Sequence, residues 1–220
     1  MHGQSWPALS SLQASALGAD WRIFTYAALA VALLVWALIL YAAIRFRRRR
    51  GNEEPRSQKA TNTPLEIMWT VLPLVFVIVL FFVTFKIETS VEALQPSPAV
   101  KIAVNGFRWG WSFAYQGGPT VSGTAQQPPV MMLPVGERVA IQVTSSDVVH
   151  SFWVPDMLFK RDAVPGRVTA FDLTPTKTGT YLGRCGEFCG LDHALMTFTV
   201  VVIPVPQYDR WIASGGRLPI

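Results

Sequence analysis

The sequence predicts a hairpin of two membrane-spanning helices followed by an all-β Greek-key sandwich or barrel. Three observations carry this expectation. Two long apolar runs lie near the N-terminus, an arginine-rich segment separates them, and from about residue 100 hydrophobicity alternates with period two. Half of the 220 residues are hydrophobic and only 15% are charged, against about a quarter in soluble domains. The deficit is local, so it indicates embedded segments.

Residues 1–21 read as a polar, extracytoplasmic N-terminal segment without the basic start and apolar core of an ordinary signal peptide. The first span is expected over 22–45, where Ile23 to Ile44 is almost wholly apolar between Arg22 and Arg45. Twenty-two residues at about 1.5 Å each cover about 33 Å, enough for a hydrocarbon core. Residues 46–64 form a basic loop with Arg47, Arg48, Arg49, Arg50, Arg56 and Lys59. Such a cluster suggests nucleic acid in other contexts. Beside a span it marks the cytoplasmic face, and no nucleic-acid partner is expected.

The second span is expected over 65–86, with Trp69 suiting the interface belt and Pro73 tolerated inside. Two spans return the chain, so the N-terminus and everything after Lys86 lie outside the cytoplasm. From Lys86 onward the chain is nearly neutral, with 11 Lys/Arg against 10 Asp/Glu. A linker over 87–98 leads to the β-domain over 99–204. There Val100, Ile102 and Val104 alternate with polar or small residues, as do Val139, Ile141 and Val143, and Phe198, Val200 and Val202. Turn signals such as Gly117-Gly118-Pro119 and Pro165-Gly166 fall between the runs, as in a sandwich or barrel. The tail over 205–220 holds a short helix at Gln207 to Ser214.

The chemistry concentrates in Cys185-Gly-Glu187-Phe-Cys189-Gly-Leu-Asp-His193-Ala-Leu-Met196. Two thiolates, an imidazole and a thioether form a soft donor set that suits copper. Zinc sites draw on cysteine and histidine and have no use for methionine. A blue copper site takes one Cys, two His and an axial Met, so this segment has one thiolate too many. Two thiolates can instead bridge two coppers. His150, at a strand end, supplies the missing imidazole. Taken singly, a Cys-x3-Cys pair reads as a disulfide or two buried thiols, His150 as a satisfied polar residue and Met196 as core. Together at these spacings they read as a dicopper centre. Asp192, Arg184 and Ser151 are candidate supporting groups.

At these residues the chain resembles subunit 2 of heme-copper cytochrome c oxidases, which carries the CuA centre on a cupredoxin-like domain. The likeness extends over both spans, Glu66-Ile-Met-Trp69-Thr70, Arg108-Trp109-Gly110-Trp111, His150-Ser151, Lys160-Arg-Asp162-Ala-Val-Pro165-Gly166-Arg167 and the cysteine loop. It implies that Cys185 and Cys189 bridge both coppers. One copper adds His150 and Met196; the other adds His193 and the backbone carbonyl of Glu187. The Glu187 side chain would serve a magnesium ion shared with the catalytic subunit. Trp109 matches the tryptophan through which electrons arrive. Glu66 matches a carboxylate at the mouth of a proton pathway, or equally serves as a helix-start carboxylate favoured by the dipole.

The implied function is the electron-transfer subunit of a respiratory terminal oxidase in the inner membrane. It would take electrons from a cytochrome c-type or other external donor and pass them to haem in subunit 1, with subunit 3 also a partner. Haem is expected only in those partners, since no Cys-x-x-Cys-His follows the copper loop. Two departures bear on the donor. Gly110 stands where the family often has an aromatic, and Ala114 to Thr124 contains no acidic residue. Acidic clusters steer cationic donors, so a tethered donor or apolar docking is expected. Two other readings stand beside the oxidase: a CuA subunit of a nitric oxide reductase, and a membrane-tethered copper carrier or thiol-redox assembly factor.

Overall fold

The computed structural model describes residues 9–47 and 61–217. Arg48, Arg49, Arg50, Arg56 and Lys59, most of the basic loop, lie outside the described residues, as do residues 1–8.

Both apolar runs are helical. Helix α1 spans Leu12–Arg45 and α2 spans Thr63–Glu92. Their apolar side chains face outward, as in helices whose solvent is lipid. At 34 and 30 residues they measure about 51 and 45 Å, longer than the roughly 30 Å hydrocarbon core. The excess accounts for two boundaries that differ from the sequence expectation. Residues 12–21 are helical, and so is the first half of the expected linker, through Glu92.

Each helix has a side-chain start signal. Ser11 Oγ accepts the Ala14 amide at 3.0 Å. Asn62 Oδ1 accepts the Leu65 amide at 3.4 Å, while Glu66 Oε1 accepts the Asn62 amide at 2.9 Å. This reciprocal arrangement satisfies amides that no helical carbonyl can reach.

The chain before α1 is part of the β-domain. The Ser10 amide donates to the Asp156 carbonyl at 3.0 Å, the Leu12 amide donates to the Thr174 carbonyl at 3.0 Å, and Ser10 O accepts the Thr176 amide at 2.8 Å. Ser11 Oγ also donates to the Met157 carbonyl at 3.2 Å. A segment read as a polar lead-in is therefore stitched to two loops of the sandwich.

The β-domain has ten strands: β1 Val100–Phe107, β2 Gly110–Tyr115, β3 Thr120–Thr124, β4 Val130–Pro134, β5 Val139–Ser145, β6 His150–Val154, β7 Phe159–Ala163, β8 Thr169–Leu173, β9 Gly179–Cys185 and β10 Thr197–Ile203. They form two sheets, ordered β3-β2-β1-β5-β8 and β4-β10-β9-β6-β7. The pairs β1–β5 and β4–β10 are parallel, and the remaining neighbours are antiparallel.

The three alternating runs face the interior as expected. Ile102, Val104, Val139, Ile141, Val143, Phe198, Val200 and Val202 are all buried between the sheets. Each such side chain contributes about 1.5–3 kcal/mol by leaving water. Aromatic rings fill the end nearest His150: Phe152 stacks on Phe198 at 4.8 Å, and Trp111 meets Phe198 edge-on at 5.4 Å. Helix α3, Val205–Ala213, closes the other end, with Trp211 5.0 Å from Tyr115.

Candidate metal centre

The cysteine loop hangs between two adjacent strands. β9 ends at Cys185 and β10 begins at Thr197, and the Cys185 amide donates to the Met196 carbonyl at 3.0 Å, closing the loop at its base. Inside it, the Met196 amide donates to the carbonyls of Asp192 and His193 at 3.1 and 3.2 Å. This tight turn holds His193 and Met196 toward the same centre. β6 lies beside β9, with Phe152 opposite Cys185 and the Gly186 amide donating to Ser151 O at 2.9 Å. That pairing brings His150 to Cys185, 35 positions further along the chain. Gly106 of β1 makes room for the imidazole, since a Cβ there would lie 3.1 Å from His150 Cδ2.

The donors converge. Cys185 Sγ and Cys189 Sγ are 3.9 Å apart and both thiols are free. His150 Nδ1 is 3.8 Å from Cys185 Sγ, His193 Nδ1 is 3.5 Å from Cys189 Sγ, and Met196 Sδ is 3.7 Å from Cys189 Sγ. The Glu187 carbonyl oxygen is 3.2 Å from Cys185 Sγ. Ligand atoms of His150, Cys185 and Cys189 all fall within 4.8 Å of one another. His150, Cys185, Cys189 and Met196 are buried. Two sulfurs flanked by an imidazole on each side, with a thioether and a carbonyl, fit a soft cation in a dry pocket and match copper chemistry.

Of Cys185, Cys189 and His150, only the Cys185 thiol is shifted toward the deprotonated form that binds metal; the other two are shifted toward keeping a proton that metal binding has to displace. Burial pushes the Cys185 thiol up, but hydrogen bonding to His150 and the neighbouring backbone more than reverses this and brings it to about 6. Burial and the charge on Cys185 push Cys189 up to about 12. Burial lowers the His150 imidazole, and its bonds to Cys185 and Asp147 outweigh that and raise it.

The other expected residues divide. Trp109 stands beside the centre, its Nε1 donating to the Cys189 carbonyl at 3.2 Å. The Glu187 carboxylate is paired with Lys160 Nζ at 2.5 Å. Glu66 is far away in the chain and caps α2. Of the candidate supporting groups, Ser151 is engaged through its carbonyl and donates its hydroxyl to Asp162 Oδ1 at 2.8 Å. Asp192 contributes its carbonyl to the turn. The Arg184 guanidinium lies over the Trp153 ring at 5.6 Å. Sequence reasoning missed Asp147, whose Oδ1 is 2.9 Å from His150 Nε2. Its only sequence signal was an Asp three residues before a candidate ligand His.

Comparisons with known proteins follow the same division of the chain. Residues 8–87 match the family model for the cytochrome c oxidase subunit II transmembrane domain. Residues 125–203 match that for its periplasmic domain. A probable cytochrome c oxidase subunit 2 of Streptomyces avermitilis is 36% identical, covering 90% of this chain and 74% of the relative. A cytochrome c oxidase subunit 2 of Mycobacterium tuberculosis is 30% identical, covering 96% and 74%. Among solved structures, the periplasmic domain of cytochrome oxidase subunit II from Bradyrhizobium japonicum is similar at 31% identity and a TM-score of 0.50, covering 56% of this chain and 96% of that one.

Proposed function

Because the chain belongs to the cytochrome c oxidase subunit II family, the electron-transfer subunit of a heme-copper oxidase, we propose that its cysteine loop and His150 hold a dinuclear copper centre. The supporting observation is the pair of buried, unlinked thiols 3.9 Å apart with an imidazole beside each. Cys185 and Cys189 would bridge, His150 and Met196 would serve one copper, and His193 and the Glu187 carbonyl the other. When bound, such a centre supplies one reversible electron at a time, shared over two metals and two sulfurs.

The chain's own residues would do the rest. Trp109 receives the electron from the external donor at the domain surface. The strands β6, β9 and β10 hold the ligands at fixed positions in both redox states, as tuned metal sites require. Burial of His150 and Met196 excludes water. The centre would hand the electron on to haem held by subunit 1 of the complex, where oxygen would be reduced, with subunit 3 as a further partner.

The chain is a membrane protein with a periplasmic domain. We place the basic loop in the cytoplasm and the spans in the inner membrane, from the arginine asymmetry. Glu187 remains the candidate for a magnesium ion shared with subunit 1, a role in which its carboxylate has to exchange Lys160 for the metal. For Glu66 the helix-start role is favoured over the proton-pathway mouth, because its carboxylate already accepts the Asn62 amide. The donor docks through apolar contacts: Phe188 and Leu191 of the copper loop are 82% and 89% exposed.

The test is spectroscopic. The copper-loaded chain is expected to hold two coppers per protein and, oxidised, to show a hyperfine pattern from one electron shared equally by two nuclei. A single-copper pattern, or a colourless loaded protein, overturns the dinuclear centre.

A further inference from the structure

Gly190 follows the second cysteine and has φ +117, a backbone conformation that side chains with a Cβ rarely adopt. The space above it is also taken. A Cβ at Gly190 would lie 3.1 Å from Trp109 Cζ2, 3.5 Å from Nε1 and 3.6 Å from Cε2. The adjoining carbonyl, that of Cys189, accepts the Trp109 indole N–H at 3.2 Å. One peptide unit therefore holds the indole twice: its oxygen takes the N–H, and the bare Cα that follows lies against the ring. Trp109 is half-buried, so part of the indole remains accessible beside the loop.

We propose that the Cys189–Gly190 peptide is the bridge by which Trp109 is coupled to the copper ligands, and that Gly190 is the positioning residue that lets the indole lie on it. This rests on the reading of Trp109 as the point where electrons arrive. The path from the indole is short: the Nε1–H···O hydrogen bond, then the covalent chain from the Cys189 carbonyl through Cα and Cβ to Sγ. No atom or proton changes place. The donor loses one electron and the copper pair gains one. A side chain at Gly190 pushes against the ring, strains the hydrogen bond and leaves electron arrival to a longer contact, while β6 and β9 still hold His150 and Cys185; His193, whose amide donates to the Gly190 carbonyl at 3.2 Å, leans on the same residue.

The experiment compares Gly190→Ala, Gly190→Asn, Trp109→Phe and the Gly190→Ala/Trp109→Phe double variant in the assembled oxidase. It measures donor-to-copper and copper-to-haem electron transfer separately by rapid mixing with reduced cytochrome c. Gly190→Asn adds a second, polar side chain at the same position, and the copper-free exchange measurement that follows keeps the test open if either glycine variant fails to load copper. In copper-free full chain, hydrogen–deuterium exchange of the Trp109 indole N–H is followed by NMR, the signal being assigned by its loss in Trp109→Phe. We expect both glycine variants to speed indole exchange and to slow donor-to-copper transfer, by less than the roughly hundredfold cost of a 1 Å misplacement, because a Cβ 3.1 Å from Cζ2 moves the ring only a few tenths of an ångström. In copper-loaded protein the copper-to-haem rate stays unchanged. The double variant is no slower than Trp109→Phe alone, the non-additivity of residues acting through one contact. If Trp109→Phe slows the transfer and the glycine variants do not, the bridge is overturned and Trp109 stands. If Trp109→Phe leaves the rate unchanged, both are overturned. A double variant slower than Trp109→Phe means that Gly190 acts only through loop folding, which also overturns the proposal.

Discussion

Asp147 Oδ1 lies 2.9 Å from His150 Nε2, on the side of the imidazole away from Cys185. The carboxylate is itself fixed: its Oδ2 accepts the Arg108 amide at 2.8 Å and its Oδ1 accepts the Val148 amide at 2.6 Å. Burial pushes its carboxyl up, and these bonds with that from His150 outweigh the effect and hold it well below the usual carboxylate range. The pair determines which ring nitrogen faces the sulfurs. It also ties the Arg108–Trp109 turn to His150.

Asp147→Asn should therefore weaken copper binding about 10–100-fold, the usual cost of removing a carboxylate behind a ligand histidine. Competition with a chelator of known affinity measures this. The fold should survive, because His150 stays buried against Trp111, whose ring centre is 6.1 Å away. Unchanged affinity and an unchanged reduction potential would remove Asp147 from the site.

The cysteine pair sets a pH dependence in the copper-free chain. Cys185 is lowered from 9.0 to about 6 and Cys189 raised to about 12. A lowered thiol stabilises the fold fully above pH 9 and loses that contribution as pH falls toward 6. The same thiolate attacks disulfides, so reaction with a small disulfide reagent should rise through pH 6 and end in a Cys185–Cys189 bond. Free thiols persisting after air exposure at pH 8 would contradict this expectation.

Donor docking should depend little on salt. Ala114 to Thr124 has no acidic residue, and Phe188, Leu191 and Leu195 are exposed on the copper loop. Turnover measured from low ionic strength to one several-fold higher should change only slightly, because screening acts on charged encounters. Phe188→Ser should raise the KM for the donor and leave the copper spectrum as it was. A steep fall of rate with salt would mean that charges steer the donor.

Arg161 should matter more for stability than its ion pair alone suggests. Its guanidinium binds both Glu92 oxygens, at 2.7 and 2.6 Å, and lies over the Phe159 and Phe171 rings at 5.4 and 5.9 Å. Arg161→Ala is expected to cost about 1–2 kcal/mol, from ring contact plus ion pair. Glu92→Gln should cost less than about 1 kcal/mol, since an exposed pair is weak. Thermal midpoints of the full chain in detergent compare the two. Equal losses would show that the rings contribute nothing.

Much of this was legible because it follows from local periodicity. Ile23 to Ile44 spelled a span by length and apolarity alone, and the alternation at Val139, Ile141 and Val143 gave both strand and buried face. The helix ends were less legible. Ser11 and Asn62 are start signals, but residues 12–21 are mixed in polarity and their helicity comes from continuing a span beyond the bilayer. The short terminal helix begins at Val205, two residues before its expected start, since Pro204 and Pro206 suit a first helical turn.

The site divides along the same line. The sequence by itself determined the donor set, because Cys185, Cys189, His193 and Met196 fall within one loop and their softness is a property of their atoms. It also determined that the loop carries one thiolate more than a single blue copper site uses. Tertiary structure alone decided what stands around those atoms. β6–β9 pairing brings His150 to Cys185, Asp147 fixes the imidazole from behind, Lys160 takes the Glu187 carboxylate, and the Cys189 carbonyl takes the Trp109 indole. These are contacts between residues distant in the chain or set by loop geometry, and no local pattern encodes them, because strand pairing, not sequence spacing, fixes which side chains meet.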